Sequence, residues 1–333
     1  MRRDAMSALR CPGCKAEVAF KLSVETEDER EVREGLLTCT ACGASRRIRR
    51  GIIDLMPATV PPFVRREAAG LDRFADAMRS DGWDRNTILS LPYLQHGYWY
   101  AQATMMHQVL DTVALAPGHT ILDVGSNTCW AGAMLAERGL CVTALDINAS
   151  ELQGLAASDW WYEAKQVHME RVLGVMFDIP LATNSLDWVW CCEVLHHNHR
   201  ANLWATMREL HRVLKPGGAV IVVNETLRSL RDPHLNPGDD VDDFDGHEHA
   251  YLRRSYVKAA RDAGFRVEIR GPRLHPAFAD EPFAISAQMT IKQGFLAAAA
   301  HAVRRDPRLG RAYLAWKAYV AGGTSLHMLA TKP

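Results

Sequence analysis

Four of the eight cysteines stand in two C-x-x-C pairs near the start of the chain. Cys11 and Cys14 form the first pair, Cys39 and Cys42 form the second, and 24 residues separate the two pairs. Two such pairs place four thiolates within tetrahedral reach, which is the donor set of a structural zinc site. A redox-active C-x-x-C pair and plain buried cysteines are the competing interpretations. Because a closed site leaves no coordination position open, we predict a structural zinc ion with no catalytic part.

A second set of polar residues follows two short apolar runs in the middle of the chain. The run 121–124 ends at Gly125, residues 130–138 have helical spacing, and the run 141–145 ends at Asp146. This pattern predicts a strand, a tight loop, a helix and a second strand. Such a unit places a helix N-terminus beside a bound ligand, and Asp146 can accept hydrogen bonds from ribose hydroxyls. An ordinary parallel βαβ unit is the plain alternative.

Histidines and acids near the ends of the later predicted strands are candidates for a general base. His196 and His197 follow the fourth strand, Glu225 ends the fifth, and His247 and His249 lie in the acidic stretch after it. Histidine titrates near neutral pH, which suits proton removal from a hydroxyl. For His196 and His197, the alternative is a structural role or a contact with the cofactor. The second pair could instead hold a divalent cation with nearby aspartates, or lie on a solvated surface.

The order of motifs in the second part of the chain resembles that of the class I (type 11) S-adenosylmethionine (SAM) methyltransferases. The resemblance is carried by D-x-P-L at 178–181, S-x-D-W-V at 185–189, E-V-L-H-H at 193–197 and R-V-L-K-P-G-G at 212–218. A NAD-dependent dehydrogenase shares the first βαβ unit but not this downstream set. The glycine-rich loop departs from the family pattern, since Gly125, Asn127 and Cys129 occupy its three glycine positions. Asparagine tolerates a left-handed backbone, whereas a cysteine brings a side chain towards the cofactor.

The resemblance implies an α/β fold with a Rossmann-like, seven-stranded methyltransferase sheet and SAM as cofactor. It also implies which residues contact SAM: Asp123, Gly125, Ser126, Asn127, Cys129, Trp130, Asp146, Ile147, Asp178, Ile179 and Glu193. Within this set, Asp146 is expected to hold the ribose, and Asp178 with Ile179 to meet the adenine.

Three regions follow from these assignments. Residues 1–57 resemble the small zinc-ribbon proteins that accompany or precede methyltransferase domains. Residues 58–116 are predicted to be a Pro-rich linker and a helical cap segment. Residues 117–333 form the methyltransferase domain, with a helical insertion near 282–319 as a substrate lid or an oligomer contact. Four aromatic residues of the cap segment, Tyr93, Tyr98, Trp99 and Tyr100, either line a substrate pocket or pack on the sheet.

The net charge and the apolar segments of the chain limit the classes of partner that we expect. The 39 basic and 39 acidic residues cancel, so no overall field favours nucleic acid. The chain lacks an 18-residue apolar run and a secretion signal, so we expect no membrane contact and a cytoplasmic location.

We therefore predict methyl transfer to an oxygen or nitrogen atom of a small-molecule or sugar-type acceptor. An RNA base methyltransferase that uses the zinc ribbon for RNA contact is the first alternative, because the chain resembles in this respect a family of large-subunit rRNA guanine methyltransferases with an N-terminal zinc ribbon. Arg46, Arg47, Arg49 and Arg50 form a basic cluster that could contact RNA phosphates or be a solvated strand face. A degenerate SAM-binding scaffold is the second, because two loop glycines are replaced. The sequence leaves open the acceptor atom, the choice of base and the oligomeric state.

Overall fold

The computed structural model describes residues 1–17, 20–94, 106–107, 109–110, 112–199, 202–230, 250–270 and 325–333, with positions 308, 312 and 316. In this part of the chain the strands are β1 Phe20–Glu27, β2 Val32–Cys39, β3 Ser45–Arg49, β4 Ile52–Asp54, β5 Thr120–Val124, β6 Cys141–Asp146, β7 Met169–Leu173, β8 Leu186–Cys192, β9 Leu214–Thr226, β10 Arg266–Arg270 and β11 Ser325–Thr331. The α-helices are α1 Pro62–Ser80, α2 Arg85–Leu89, α3 Trp130–Glu137, α4 Ala157–Lys165, α5 Asn202–Val213 and α6 Arg253–Asp262.

The strands join into one sheet in the order β1-β2-β3-β4-β7-β6-β5-β8-β9-β11-β10. Strands β7, β6, β5, β8 and β9 are parallel neighbours, and β11 is inserted antiparallel between β9 and β10. The parallel strands are apolar on both faces because helices cover both sides of the sheet. The predicted Rossmann-like methyltransferase sheet is confirmed. Its parallel strands end at one common edge, where open α/β sheets bind ligands.

The N-terminal strands extend this sheet. β4 pairs in parallel with β7 in the register Ile53↔Val172. The four strands of the N-terminal region and the seven strands that follow them are therefore parts of one continuous hydrogen-bonded sheet. The domain boundary expected at residue 57 stays a prediction, but residues 1–57 do not stand apart from the sheet.

A buried ionic cluster lies at this junction. Arg171 of β7 is 0% exposed and contacts Glu31, which precedes β2, and Asp159 of α4. Arg30 and Arg33 also reach Asp159, at 2.7 and 3.2 Å. Burial alone would raise the pKa of Asp159, but the hydrogen bond from Arg33 and the positive charge of Arg171 lower it to about 2. Charged partners from both sides of the junction therefore hold the two parts together.

Helix α1 begins at Pro62, a residue whose fixed φ suits the first helical turn, and runs to Ser80. It covers the carboxyl edge of the parallel strands. Asn148, in the loop after β6, donates from Nδ2 to the Ala68 carbonyl at 3.3 Å and to Asp72 Oδ1 at 2.9 Å. These contacts tie the helix to the loop beneath it. In the described part of the chain, the helices are too short or too polar to cross a membrane.

Candidate functional site

A cavity of about 810 Å³ opens at the carboxyl edge of the parallel strands. Its walls come from the loops after β5, β6, β7 and β8 and from helix α1. Ligand sites in proteins usually measure ~300–1,000 Å³, so the cavity has the size of a small-molecule site.

The loop after β5 has a left-handed backbone at all three positions where the family pattern has glycine. Gly125, Asn127 and Cys129 have φ values of 66°, 45° and 58°. A side chain at Gly125 would collide with Val194, so this position requires glycine. Asparagine adopts this region readily, which explains how Asn127 keeps the loop conformation.

Cys129 does not line the cavity, contrary to the prediction. It precedes α3, is 0% exposed, and its Sγ lies 4.0 Å from the Leu155 carbonyl in the core beneath the loop. The left-handed backbone at this position turns the thiol away from the ligand space. A cysteine side chain is therefore accommodated without narrowing the cavity.

Asp146 joins the loops after β5 and β6. Its Oδ2 accepts from the Asn127 backbone N–H at 2.8 Å, and its Oδ1 accepts from the Asn148 backbone N–H at 2.9 Å. Burial raises the pKa of this carboxyl to about 6. Asp146 and Ile147 both line the cavity, where each Asp146 oxygen has a further lone pair for a ligand. Ribose binding by Asp146 stays a prediction that this geometry allows.

Asp123 carries an acceptor atom that the protein leaves unsatisfied. The residue is 2% exposed, lines the cavity, and its Oδ2 has no hydrogen-bond partner among the described residues. Burial raises the pKa of Asp123 to about 7. The Oδ2 atom lies against Gly132 of α3, at the interface between that helix and the sheet.

Eight of the eleven residues predicted to contact the cofactor line the cavity: Asp123, Gly125, Ser126, Asn127, Trp130, Asp146, Ile147 and Glu193. Glu193 has a left-handed backbone with φ of 47°, and its carboxylate accepts from the Asn224 side-chain amide.

Asp178 and Ile179 lie outside the cavity walls, which corrects the prediction that they meet the adenine. Asp178 forms ion pairs with Lys15 and, at 3.6 Å, with Arg10 of the N-terminal region. Ile179 is 0% exposed in the core. The chain turns back after Phe177, so residues 174–177 line the cavity instead. The cause is a set of ionic partners more than 160 residues away in the sequence.

Glu225, one of the candidate bases, is buried beneath the loop that follows β8. It is 0% exposed, lies outside the walls, and accepts from the backbone N–H groups of Leu195 and His196, each at 2.9 Å. It also contacts His196 Nδ1 at 2.7 Å. Burial would raise the pKa of Glu225, but the His196 side chain and these amides lower it below its usual value. The carboxylate caps the 3-10 turn Leu195–His197 and fixes the ring of His196 in the cavity wall.

His197 has a carboxylate partner that sequence reasoning missed. Its Nδ1 lies 2.8 Å from Glu67 Oε1, and both side chains line the cavity. The rings of His196 and His197 are 4.3 Å apart between centroids. Glu67 lies on the buried face of α1 with Val64 and Gly70. An acid at helical spacing from apolar positions was the available signal, but the cavity beneath that face is set by tertiary packing.

The other candidate bases, His247 and His249, lie outside the described residues, as do Tyr98, Trp99, Tyr100 and nearly all of the insertion at 282–319. Tyr93 is described and is 51% exposed, with its hydroxyl 2.8 Å from His107 Nε2. Tyr93 therefore does not line this cavity.

The four paired cysteines come together as the spacing predicts. Their Sγ atoms all lie within 4.8 Å of one another, with 3.8 Å between those of Cys11 and Cys42 and 3.7 Å between those of Cys14 and Cys39. A tetrahedral zinc ion with bonds of ~2.3 Å requires sulfur atoms about 3.8 Å apart. The four thiols form no disulfide, and two of their six sulfur–sulfur distances already match this spacing, so the cluster fits a zinc ion.

Comparison with known proteins agrees with this geometry. Residues 122–222 match the family model described as a methyltransferase domain. A malonyl-[acyl-carrier protein] O-methyltransferase from Gallionella capsiferriformans is 33% identical over 52% of this chain and 60% of that protein. The 27-O-demethylrifamycin SV methyltransferase from Amycolatopsis mediterranei is 32% identical over 45% of this chain and 54% of that protein. The chain thus spans between a half and two thirds of these relatives' length.

Among solved structures, a chain from the complex of the Haloferax volcanii Trm112 methyltransferase activator with a methyltransferase has a TM-score of 0.46 and 17% identity. The similarity covers 83% of this chain and 100% of that one. The resemblance of this chain to the class I methyltransferases is confirmed by the family match and the curated relatives.

Proposed function

We propose, because residues 122–222 belong to the methyltransferase domain family, that the protein transfers the methyl group of SAM to an oxygen or nitrogen atom of a small molecule. One observation carries the proposal. The left-handed loop at Gly125 and Asn127 and the acids Asp123 and Asp146 line a single cavity of ligand size at the carboxyl edge of the sheet.

These residues form the part of the cavity that we assign to SAM. Gly125 lets the loop pack against Val194, and Asp146 accepts from ribose hydroxyls while fixing the loop through the Asn127 amide. Asp123 lines the cavity beside this loop. When bound, SAM supplies a methyl group on a positively charged sulfur, which is displaced in line by the acceptor. The residues of the protein then have to orient the acceptor and remove its proton.

The charges of the protein support a small acceptor over RNA. Two arginines of the basic cluster are engaged within the chain, since Arg47 pairs with Glu25 at 2.7 Å and Arg50 with Glu151 at 3.1 Å. Among the described cavity walls there is no lysine or arginine. Binding of RNA depends on cations that contact phosphates, and two of the four arginines in this cluster are paired with acids of the chain itself.

Two observations bear on whether the domain is a degenerate scaffold and on which atom accepts the methyl group. The left-handed φ of Asn127 and Cys129 keeps the loop shape without glycine, which disfavours a degenerate scaffold. The two relatives named above carry an O-methyltransferase and a 27-O-demethyl substrate in their names, which supports oxygen as the acceptor atom. A structural zinc ion at the four cysteines completes the proposal.

Labelled methyl transfer tests the function. Purified protein with methyl-labelled SAM is offered a small-molecule extract and, separately, total RNA. We expect label in the small-molecule fraction. Label in RNA alone would favour the RNA alternative, and SAM binding without transfer to either fraction would favour a scaffold.

A further inference from the structure

The acceptor side of the cavity contains a histidine and a carboxylate in contact. His197 Nδ1 lies 2.8 Å from Glu67 Oε1, and the Glu67 side chain is 10% exposed. His197 follows β8 and Glu67 lies on α1, so the pair bridges the sheet edge and the helix that covers it. A carboxylate this close to one nitrogen stabilises the imidazolium that forms when the other nitrogen accepts a proton.

The described walls carry negative charge and lack positive charge. They include five carboxyl groups and neither lysine nor arginine: Glu67, Asp81, Asp123, Asp146 and Glu193. A phosphate or carboxylate on the acceptor would find no cation there and would be repelled by these groups, because charges interact strongly where water is excluded. The described part of the walls therefore disfavours anionic acceptors.

On the acceptor side, most of these carboxyl groups already have partners within the protein, so a cationic acceptor would find few of them available. Glu67 is engaged by His197, Glu193 by the Asn224 amide, and Asp146 by two backbone N–H groups. Asp123 lies in β5, beside the loop assigned to SAM, and Asp81 is an exposed residue at the C-terminal end of α1. A neutral acceptor fits this arrangement better than a cationic one.

Helix α1 gives the cavity an apolar and partly aromatic cover. Phe63, Leu71, Phe74 and Met78 face the cavity from the helix. The Phe63 ring lies 6.1 Å from that of Phe177 between centroids. Apolar side chains of this kind bind a hydrophobic skeleton through burial of its surface and, if it is aromatic, through ring contacts.

We propose that the acceptor is a neutral, hydrophobic aromatic hydroxyl compound and that His197, supported by Glu67, is the base that removes its proton. The inference rests on the proposed function and deepens it. As the acceptor oxygen forms its bond to the methyl carbon, the carbon–sulfur bond breaks with its electron pair going to sulfur, which leaves S-adenosylhomocysteine. The hydroxyl proton passes to the His197 ring, and the Glu67 carboxylate stabilises the imidazolium.

Three probes with the same ring system test the acceptor class: 2-naphthol, 2-naphthoate and 2-naphthylmethylamine. Each is titrated by calorimetry into the protein saturated with S-adenosylhomocysteine. We expect 2-naphthol to bind at least tenfold more tightly than the other two. Tighter binding of the anion or the cation, or no binding of the three, overturns the acceptor assignment. The saturation step itself reports failure of the proposed function, because a protein that does not bind S-adenosylhomocysteine or SAM fails there first.

Variants test the base. In methylation of 2-naphthol, His197→Gln is expected to lower kcat by ~10²–10⁴-fold, the usual contribution of a positioned base, with the KM for SAM within twofold. Glu67→Gln is expected to lower kcat in the same direction with both KM values within twofold. Asp76→Asn, an acid-to-amide change on the exposed face of the same helix, is the matched control and should leave kcat unchanged.

The split between kcat and KM separates catalysis from support of the fold, because a loosened α1 would raise KM. Unchanged kcat in His197→Gln, or binding of 2-naphthol without methylation by the wild-type protein, overturns the assignment of the base. If His197→Gln does not fold, His197→Asn and the three-probe titration on wild-type protein decide the matter.

Discussion

The carboxylate of Asp146 accepts a hydrogen bond from the backbone N–H of Asn127, with 2.8 Å between Asp146 Oδ2 and Asn127 N. The two residues lie at the ends of neighbouring parallel strands, so this bond fixes the loop after β5 against the loop after β6. The loop conformation and the acid that faces the ligand are therefore set by one contact, and five predictions follow from this site and its surroundings.

The first concerns the backbone of that loop. Asn127 has a φ of 45°, a region that costs alanine roughly 1–2 kcal/mol and glycine nothing. Both Asn127→Ala and Asn127→Gly lose the side-chain bond to Gln153, which makes them a matched pair. We expect the alanine variant to bind SAM about tenfold more weakly than the glycine variant. Equal affinities would show that this conformation is not needed for binding.

A second prediction concerns pH and Asp123. Burial raises the pKa of this carboxyl to about 7 in the folded protein, against 3.8 for the free group. Because the folded state holds the proton more tightly, the contribution of Asp123 to stability is fully present below pH ~4 and is lost as pH rises to ~7. Asp123→Asn should therefore match wild-type thermal stability near pH 4 and exceed it at pH 8, both without ligand. A difference that does not change with pH would contradict the raised pKa.

Removal of the cation at the junction is the third test. Arg171→Met removes the fully buried cation that Glu31 and Asp159 share, while Arg33 still contacts both acids, so we expect a loss of up to ~3–5 kcal/mol of the free energy of unfolding. Arg47→Met breaks an ion pair whose side chains are both 51% exposed and should cost less than ~1 kcal/mol. Urea unfolding compares the two. Similar small effects would mean that the junction does not depend on the buried cluster.

The fourth prediction concerns the loss of zinc. Cys14 is followed by Lys15, which pairs with Asp178, and the Arg10 backbone N–H donates to the Pro180 carbonyl at 3.0 Å. These contacts hold the segment that follows the cavity wall at 174–177. We expect chelation to release one zinc per chain and to weaken SAM binding, with recovery on adding zinc back. Metal analysis without zinc, or SAM affinity indifferent to chelation, would contradict this link.

Much of the fold was predictable because its signals are local. The apolar runs before Gly125 and Asp146 mark strands buried on both faces, and the C-x-x-C pairs mark a metal site by spacing alone. The junction was not predictable in the same way, since β4 is only three residues long and its pairing with β7 is a long-range contact.

The site was predictable where backbone geometry determines it and not where tertiary contacts do. The acids at strand ends could be assigned because parallel strands end at one edge. Asp178 was misassigned because Lys15 and Arg10 hold its carboxylate on the N-terminal side. Glu67 was missed because its partner, His197, lies 130 residues away in the sequence.

The most direct measurement of the central claim is a calorimetric titration of SAM into the wild-type protein and Asp146→Ala, with circular dichroism to establish that the variant is folded. Asp54→Ala, an exposed acid at the end of β4, is the control. We expect the wild type and the control to bind SAM alike. Binding to Asp146→Ala should be weaker by about 1–3 kcal/mol, because a charge-assisted acceptor for the ribose is lost. No binding of SAM by the wild type, or equal affinity in a folded Asp146→Ala protein, would contradict the central claim.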